Sequence, residues 1–395
     1  MKDIAPFKID KWVQQYGPKS DLILHGSYVS ALSLKELKQL SQSPETAVDE
    51  NLNLTYGDVI GSLKLRQRIA DLHSSPDSQL TAGNVVITPG SIMANYLVLR
   101  TLCAPGDHII CQYPTYAQLY VLPRYLGADV SLWKLREEDG WMPSLEELVT
   151  MIRPNTKAII VNNPCNPTGT VLHRRILDQI FKLAEAHNIT IFSDEVFSPL
   201  FHGDATKPPP FVSLGYFNSV STGSVSKAHG LPGIRVGWVV SPNLDVIERI
   251  TTARDYTTIS VSQLDDGVAA FALSPEVLPK LLERNLAICK SSIALLDDFV
   301  TRNSDRCTWI KPNGAGTAFI RFLTPDGVPV DDAAFAARLA ERAGISSVPG
   351  GHCFSEEGAS DFKGYIRLTL GEDKKLQTGL ERLEVFIRDP QNYSN

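Results

Sequence analysis

The sequence predicts an α/β fold: a largely parallel sheet covered by helices, followed by a smaller α+β domain. Three observations predict it. Short apolar runs alternate with stretches of helical periodicity between residues 85 and 222, the pattern of β-α units joined by crossover helices. The alternation ends near Ser274-Pro275, where a long helical stretch leads into two strand-like runs. The 395 residues are 43% hydrophobic and 21% charged, enough to bury a large core and ordinary for a globular chain.

Taken in order, the segment to about Leu40 is mixed and is expected to pack across another part of the protein. From Asp58 to His73, Val59, Ile60, Leu63, Leu65, Ile69 and Leu72 recur at roughly helical spacing. Val85–Thr88 reads as a strand and Ser91–Cys103 as a helix. His108–Cys111 is a strand and Tyr116–Leu126 a helix; Ala158–Val161 and Arg174–His187 repeat the pair. Ile189–Phe192 and Ser219–Thr222 are further strands, and Val236–Val240 is expected to run the other way because so few residues precede it. Beyond Ser274 come a helix over Glu276–Val300, strands Thr308–Lys311 and Ala318–Phe322, helix Ala333–Ala343, strand Tyr365–Leu370 and helix Lys374–Ile387. The expected organisation is an N-terminal segment (1–45), a large domain (46–274) and a small domain (275–395).

Composition narrows the function. A net charge of −6 offers no basic surface for nucleic acid. No apolar run approaches the ~20 residues of a membrane span. The opening residues lack the apolar core of a leader. The six cysteines (103, 111, 165, 289, 307 and 353) are scattered and read as reduced thiols, so a cytoplasmic setting is expected. The eight histidines show no His-x-x-x-His spacing, and no metal is expected.

Polar residues gather at the strand ends, where ligands of open α/β sheets bind. After Ser219–Thr222 comes Ser224-Val-Ser-Lys-Ala-His-Gly-Leu-Pro-Gly-Ile-Arg-Val-Gly-Trp238. A lysine held in a pocket condenses with an aldehyde to a Schiff base. A nearby arginine and serine hydroxyls hold a phosphate. Lys227, Ser224 and Arg235 therefore suit pyridoxal 5'-phosphate, an aldehyde and phosphate ester in one; a solvated lysine loop is the plainer reading. After Val85–Thr88, Pro89-Gly90-Ser91-Ile92 opens a helix whose amides could bind phosphate, or forms an ordinary turn. After Ala158–Val161, Asn162-Asn-Pro-Cys-Asn-Pro-Thr-Gly169 carries two X-Pro bonds that stiffen a loop around Asn166. Its amide could meet a phenolic oxygen. After Ile189–Phe192, Asp194 could keep a pyridine nitrogen protonated, or it could cap a helix. Tyr116 follows His108–Cys111 and reads either as a ring stacked on a cofactor or as core.

In this order the motifs resemble those of the class I/II aminotransferase family, fold type I of the pyridoxal-phosphate enzymes. The resemblance runs from about Tyr56 to Leu370. It is carried by Tyr56 with Gly61 and Arg66, Pro89-Gly90, Tyr113-Pro-Thr-Tyr116, Asn162-x-Pro-x-Asn-Pro-Thr-Gly169, Asp194-Glu195, Ser224-x-Ser-Lys227, Gly233-x-Arg235-x-Gly-Trp, and Arg367. It implies a mostly parallel seven-stranded sheet and a homodimer with shared active sites. It also implies the following roles. Lys227 forms the internal aldimine and shuttles the substrate's α-proton. Asp194 pairs with the pyridine nitrogen, Asn166 donates to the ring oxygen, and Tyr116 stacks on the ring. Ser91, Ile92, Ser224 and Arg235 hold the phosphate, with Tyr56 reaching it from the partner. Arg367 clamps the α-carboxylate; its residue pattern alone reads as a surface charge on a strand. Gly26 and Ser27, in Leu24-His-Gly-Ser-Tyr28, stand where the substrate loop is expected.

Three positions depart from the family pattern. Phe197 stands where many members carry a tyrosine that donates to the ring oxygen. His229 follows Lys227 by two residues and reads as an acid-base group or a packing histidine. Arg254–Ser260 is polar and could cross a dimer interface. The longer stretch Arg254–Asp266, with Val130–Arg136, resembles a subgroup that includes capreomycidine synthase. Members of that subgroup need not transaminate: after the quinonoid stage they can eliminate a β-group and cyclise, and the same carbanion can react with oxygen. Transamination of an L-amino acid is the expected activity, with a lyase, cyclase or oxidase as the alternative. A non-catalytic ligand sensor is a remoter one, because motifs that begin by Tyr56 leave no room for an N-terminal DNA-binding module.

Overall fold

The computed structural model describes residues 4–42, 46–203, 207–356 and 361–393. The chain opens with α1 (Lys8–Tyr16), β1 (Leu22–Ile23), α2 (Leu34–Gln39) and α3 (Leu63–His73). The β-α succession follows: β2 (Val85–Thr88), α4 (Ser91–Leu102), β3 (His108–Tyr113), α5 (Gln118–Leu126), β4 (Asp129–Lys134), α6 (Leu145–Met151), β5 (Thr156–Asn162), α7 (Arg174–His187) and β6 (Thr190–Asp194). Then come β7 (Ser219–Ser224), β8 (Gly237–Val240), α8 (Leu244–Asp255) and α9 (Gln263–Ala272). The remainder comprises α10 (Val277–Arg302), β9 (Cys307–Trp309), β10 (Thr317–Phe322), α11 (Asp332–Ala343), β11 (Ile345–Ser346), β12 (Val348–Pro349), α12 (Gly350–Phe354), β13 (Tyr365–Thr369) and α13 (Asp373–Arg388).

Seven strands form one sheet in the order β2-β8-β7-β6-β5-β3-β4. All its pairings are parallel except those of β8, which runs antiparallel to both β2 and β7. Strands β2, β3, β7 and β8 are buried along their whole length, as expected where helices cover both faces. Four antiparallel strands, β12-β13-β10-β9, make a second sheet. The N-terminal segment joins this half. Strand β1 pairs in parallel with β11, and α1 lies against α11 and α12. Buried Trp12 donates its indole N–H to Ser347 O at 2.9 Å. The boundary expected at 45 falls on residues 43–45, outside the described residues.

The elements differ from expectation in several places. Helix α3 begins at Leu63, not Asp58. Gly61 turns the chain at φ +95°, and Ser62 caps the helix by accepting from Leu65 N. Ile60 instead gives its carbonyl to Ile87 N. Strand β4 was unanticipated; it forms the exposed edge of the sheet, with burial that alternates imperfectly. The polar stretch Arg254–Ser260 is the end of α8 and the turn after it. No described helix is long and apolar enough to cross a membrane, and no metal-sized cluster of acidic, His and Cys residues occurs among the described residues.

Candidate active site

Strands β2, β5, β6 and β7 end at one side of the sheet, and a cavity of about 300 Å³ opens there between the two halves. Lys227, Asp194, Asn166, Tyr116, Ser91, Ile92, Arg235, Arg367, Gly26 and Ser27 all line it. The strand-end loops thus bring together ten positions spread over more than 340 residues of chain.

Lys227 Nζ donates to Ser27 Oγ at 2.8 Å. Burial lowers its pKa to about 8, helped by Arg367 and Arg235 and opposed by Asp194. A minor fraction of the amine is therefore unprotonated near neutrality, the form that attacks a carbonyl. Asp194 terminates β6 and is buried. Burial raises its carboxyl to about 6, against hydrogen bonds from Asn95 Nδ2 (2.9 Å) and Val196 N (3.1 Å). Asn95 is itself oriented by accepting from Thr222 Oγ1 at 2.7 Å.

Asn166 is locked by its backbone N–H on Asn162 Oδ1 (2.8 Å) and by Arg367 Nη1, which donates to its Oδ1 (2.9 Å). Its Nδ2 hydrogens remain as donors for a ligand. Arg367, buried on β13, donates Nη2 to His25 O at 2.7 Å, and its Nε has no partner. No carboxylate lies within ion-pair distance among the described residues. Burial lowers its pKa to about 10, still far above neutrality. A buried cation without a counter-ion is costly, and a carboxylate ligand would relieve it.

The other end of the cavity is equally cationic. Gly90, at φ +80°, is the N-cap of α4, and a Cβ there would sit 2.4 Å from Arg235 Nη2. Arg235 takes φ +50° and donates to Pro232 O at 2.8 Å. A guanidinium beside the open amides of a helix start repels it unless an anion lies between them. Ser226 lines this end. Ser224 stands one hydroxyl behind it, 2.8 Å from Ser226 Oγ and donating to Val236 O at 2.7 Å.

Other positions lie apart. Tyr56 is 81% exposed and does not line the cavity of its own chain. Phe197 lines the cavity without a hydroxyl. His229 is buried behind it, with Nδ1 3.3 Å from Ser224 O and its ring against Trp238; burial lowers its pKa to about 4. This is the packing histidine, not the acid-base group. Arg254 is fully buried at the end of α8. The sequence reading missed Asn95 and Asp10. Asn95 carried one signal: it is the polar residue one helical turn after Ser91.

Against known proteins, the family model for aminotransferase class I and II matches residues 28–383. The chain belongs to this family. It is 32% identical to an arginine–pyruvate transaminase of Pseudomonas aeruginosa over 330 residues, 82% of this chain and 81% of that one. It is 29% identical to capreomycidine synthase of Streptomyces vinaceus over 345 residues, 87% and 85% of the two chains. A solved pyridoxal-phosphate-dependent aminotransferase from Streptococcus suis superposes with a TM-score of 0.88 at 33% identity, covering 100% of this chain and 99% of that one. As a family member the chain is a pyridoxal-phosphate-dependent enzyme of fold type I acting on amino acids, and its aminotransferase assignment stands. The residues fit the cofactor: an amine for the aldehyde, a carboxylate for the pyridine nitrogen, and a glycine-floored cationic end for the phosphate.

Proposed function

We propose that Lys227 holds pyridoxal phosphate and moves the proton at the substrate α-carbon, so that the chain transfers the amino group of an L-amino acid. The observation that carries this reading is the convergence of the Lys227 amine, the Asp194 carboxylate and the unpaired Arg367 guanidinium in one cavity. When bound, the cofactor supplies an electron sink for the pair left at Cα. Asp194 holds the proton on the pyridine nitrogen. Arg367 binds the substrate carboxylate bidentately and turns the Cα–H toward Lys227 Nζ. Asn166 donates Nδ2 to the ring oxygen, and Tyr116 covers the ring face. Ser91 and Ile92 amides, Arg235 and the Ser224–Ser226 pair hold the phosphate. Gly26 and Ser27 border the substrate, and Ser27 releases Lys227 when the cofactor enters.

The working unit is read as a homodimer: Tyr56 is too exposed to serve its own cavity and suits the partner's phosphate site. The large domain spans 46–274, the small domain 275–395, and the N-terminal segment 1–45 packs on the small domain or on the partner. Six unbridged, buried cysteines agree with a cytoplasmic setting. A second reading, elimination with cyclisation or oxidation, is favoured by Phe197, which withdraws one hydrogen bond from the ring oxygen. Lys227→Ala should abolish turnover and the visible absorption of the lysine-bound cofactor. An unchanged band in the variant would refute the assignment. Adding amino acids to the native enzyme should convert the cofactor to its pyridoxamine form; a response that never reaches that form would move the chain to the second reading.

A further inference from the structure

The reading above gives tasks to four charged groups of the cavity: Lys227, Asp194, Arg235 and Arg367. His25 is neutral, because burial lowers it to about 4. Burial holds the Tyr116 phenol protonated. One acidic side chain is left over. Asp10, in the first turn of α1, lines the same cavity, and neither a hydrogen bond nor an ion pair engages its carboxylate among the described residues. Its charge is felt inside the site, where it raises the pKa of both Lys227 and Tyr116.

The placement of Asp10 is fixed by its neighbours. Ile9 and Trp12 are buried, and Trp12 is tied to Ser347. That seats α1 with Asp10 and Val13, one turn apart, on the cavity wall. The Tyr28 ring lines the same cavity and faces the Lys227 amine, with Nζ 5.9 Å from its centroid, a surface suited to a cation. Arg367 holds the substrate at its α-carboxylate and Lys227 acts at its α-carbon. The side chain is then the part directed to α1. An acidic side chain would meet a like charge there, and an apolar one would cover an unpaired carboxylate. A cationic one would pair with it.

We propose that Asp10 is a specificity-determining residue that selects amino donors with a cationic side chain, an ammonium or guanidinium on a flexible stem. The proposal rests on the amino-transfer reading above. Its test uses the cofactor-loaded full chain with arginine, ornithine, glutamine, norleucine and glutamate as donors. The basic donors should give the highest kcat/KM. Asp10→Asn should lower the ratio of basic to neutral kcat/KM at least 10-fold, chiefly through KM. Asp10→Lys should reverse the order in favour of glutamate. A native enzyme that prefers neutral or acidic donors would overturn the proposal while leaving amino transfer intact. So would an Asp10→Asn variant that loses activity equally with every donor, since an acid in a first helical turn also stabilises the helix. Absence of any spectral response to all five amino acids would overturn the amino-transfer reading and the proposal with it.

Discussion

At Asp194 two demands conflict. The site needs an ionised carboxylate, yet burial resists ionisation and raises the group from 3.8 to about 6. A folded pKa above the unfolded one means stability that is full below about 3.8 and lost as pH rises through about 6. The shift corresponds to about 3 kcal/mol of strain in the cofactor-free protein at neutral pH. Asp194→Asn should therefore melt higher than the native apoprotein at pH 7.5, with the gap shrinking toward pH 5, while losing catalysis. Thermal melts of both apoproteins across that range check it; an equal gap at both pH values would refute it. Lys227, Asp194 and Asn166 were legible in the sequence because each stands at or just past a strand end, and Arg235 because it closes the loop that Lys227 opens, so local pattern predicts location. Arg367 was legible only by resemblance: a cation inside a buried strand has no local signature. Asn95 was not legible, since it meets Asp194 across 99 residues. Nor was Asp10, whose place depends on how α1 docks.

At the scale of elements, the turn into α4 carries the most chemistry. It combines a left-handed glycine, the first helical amides and the Arg235 guanidinium in one small volume. Gly90→Ala would strain the backbone at φ +80° and put its methyl carbon 2.4 Å from Arg235 Nη2. The arginine must move, and the anion end of the cavity loses its geometry. Cofactor affinity should fall at least 10-fold with secondary structure retained, measured by titrating cofactor into the apoprotein; native affinity would refute the anion-site assignment. Elements with strong periodicity were legible, and helix Arg174–His187 was read to the residue. The edge strand β4 was not, because its mixed faces imitate a loop. Helices α8 and α9 were passed over because they are short and polar on their exposed faces.

For the whole molecule, burial sets the range of pH in which the fold persists. His73, His202 and His229 are buried, and burial lowers each from 6.5 to about 4. Their folded values lie below the unfolded value, so their contribution is present above pH 6.5 and lost as pH falls toward 4. Each is worth about 3 kcal/mol when fully expressed, against a total stability of roughly 5–15 kcal/mol. Asp194 and Glu195, raised to about 6 and about 7, act in the opposite direction, but three histidines outweigh two carboxyls. On the alkaline side, burial raises Cys103, Cys289, Cys307 and Cys353 from 9 to about 12. Their contribution is full below pH 9 and lost above it. The apoprotein should therefore melt at a nearly constant temperature between about pH 7 and 8, and lose stability below about pH 6.5 and above about pH 9. The Lys227 amine, lowered from 10.5 to about 8, adds stability as pH rises from about 8 toward 10.5 and offsets part of the alkaline loss. Circular dichroism melts from pH 4 to 10 test the profile. His229→Phe removes one of these protonation sites and should make the acid limb shallower, while an acid limb unchanged in slope would show that buried histidines do not set it.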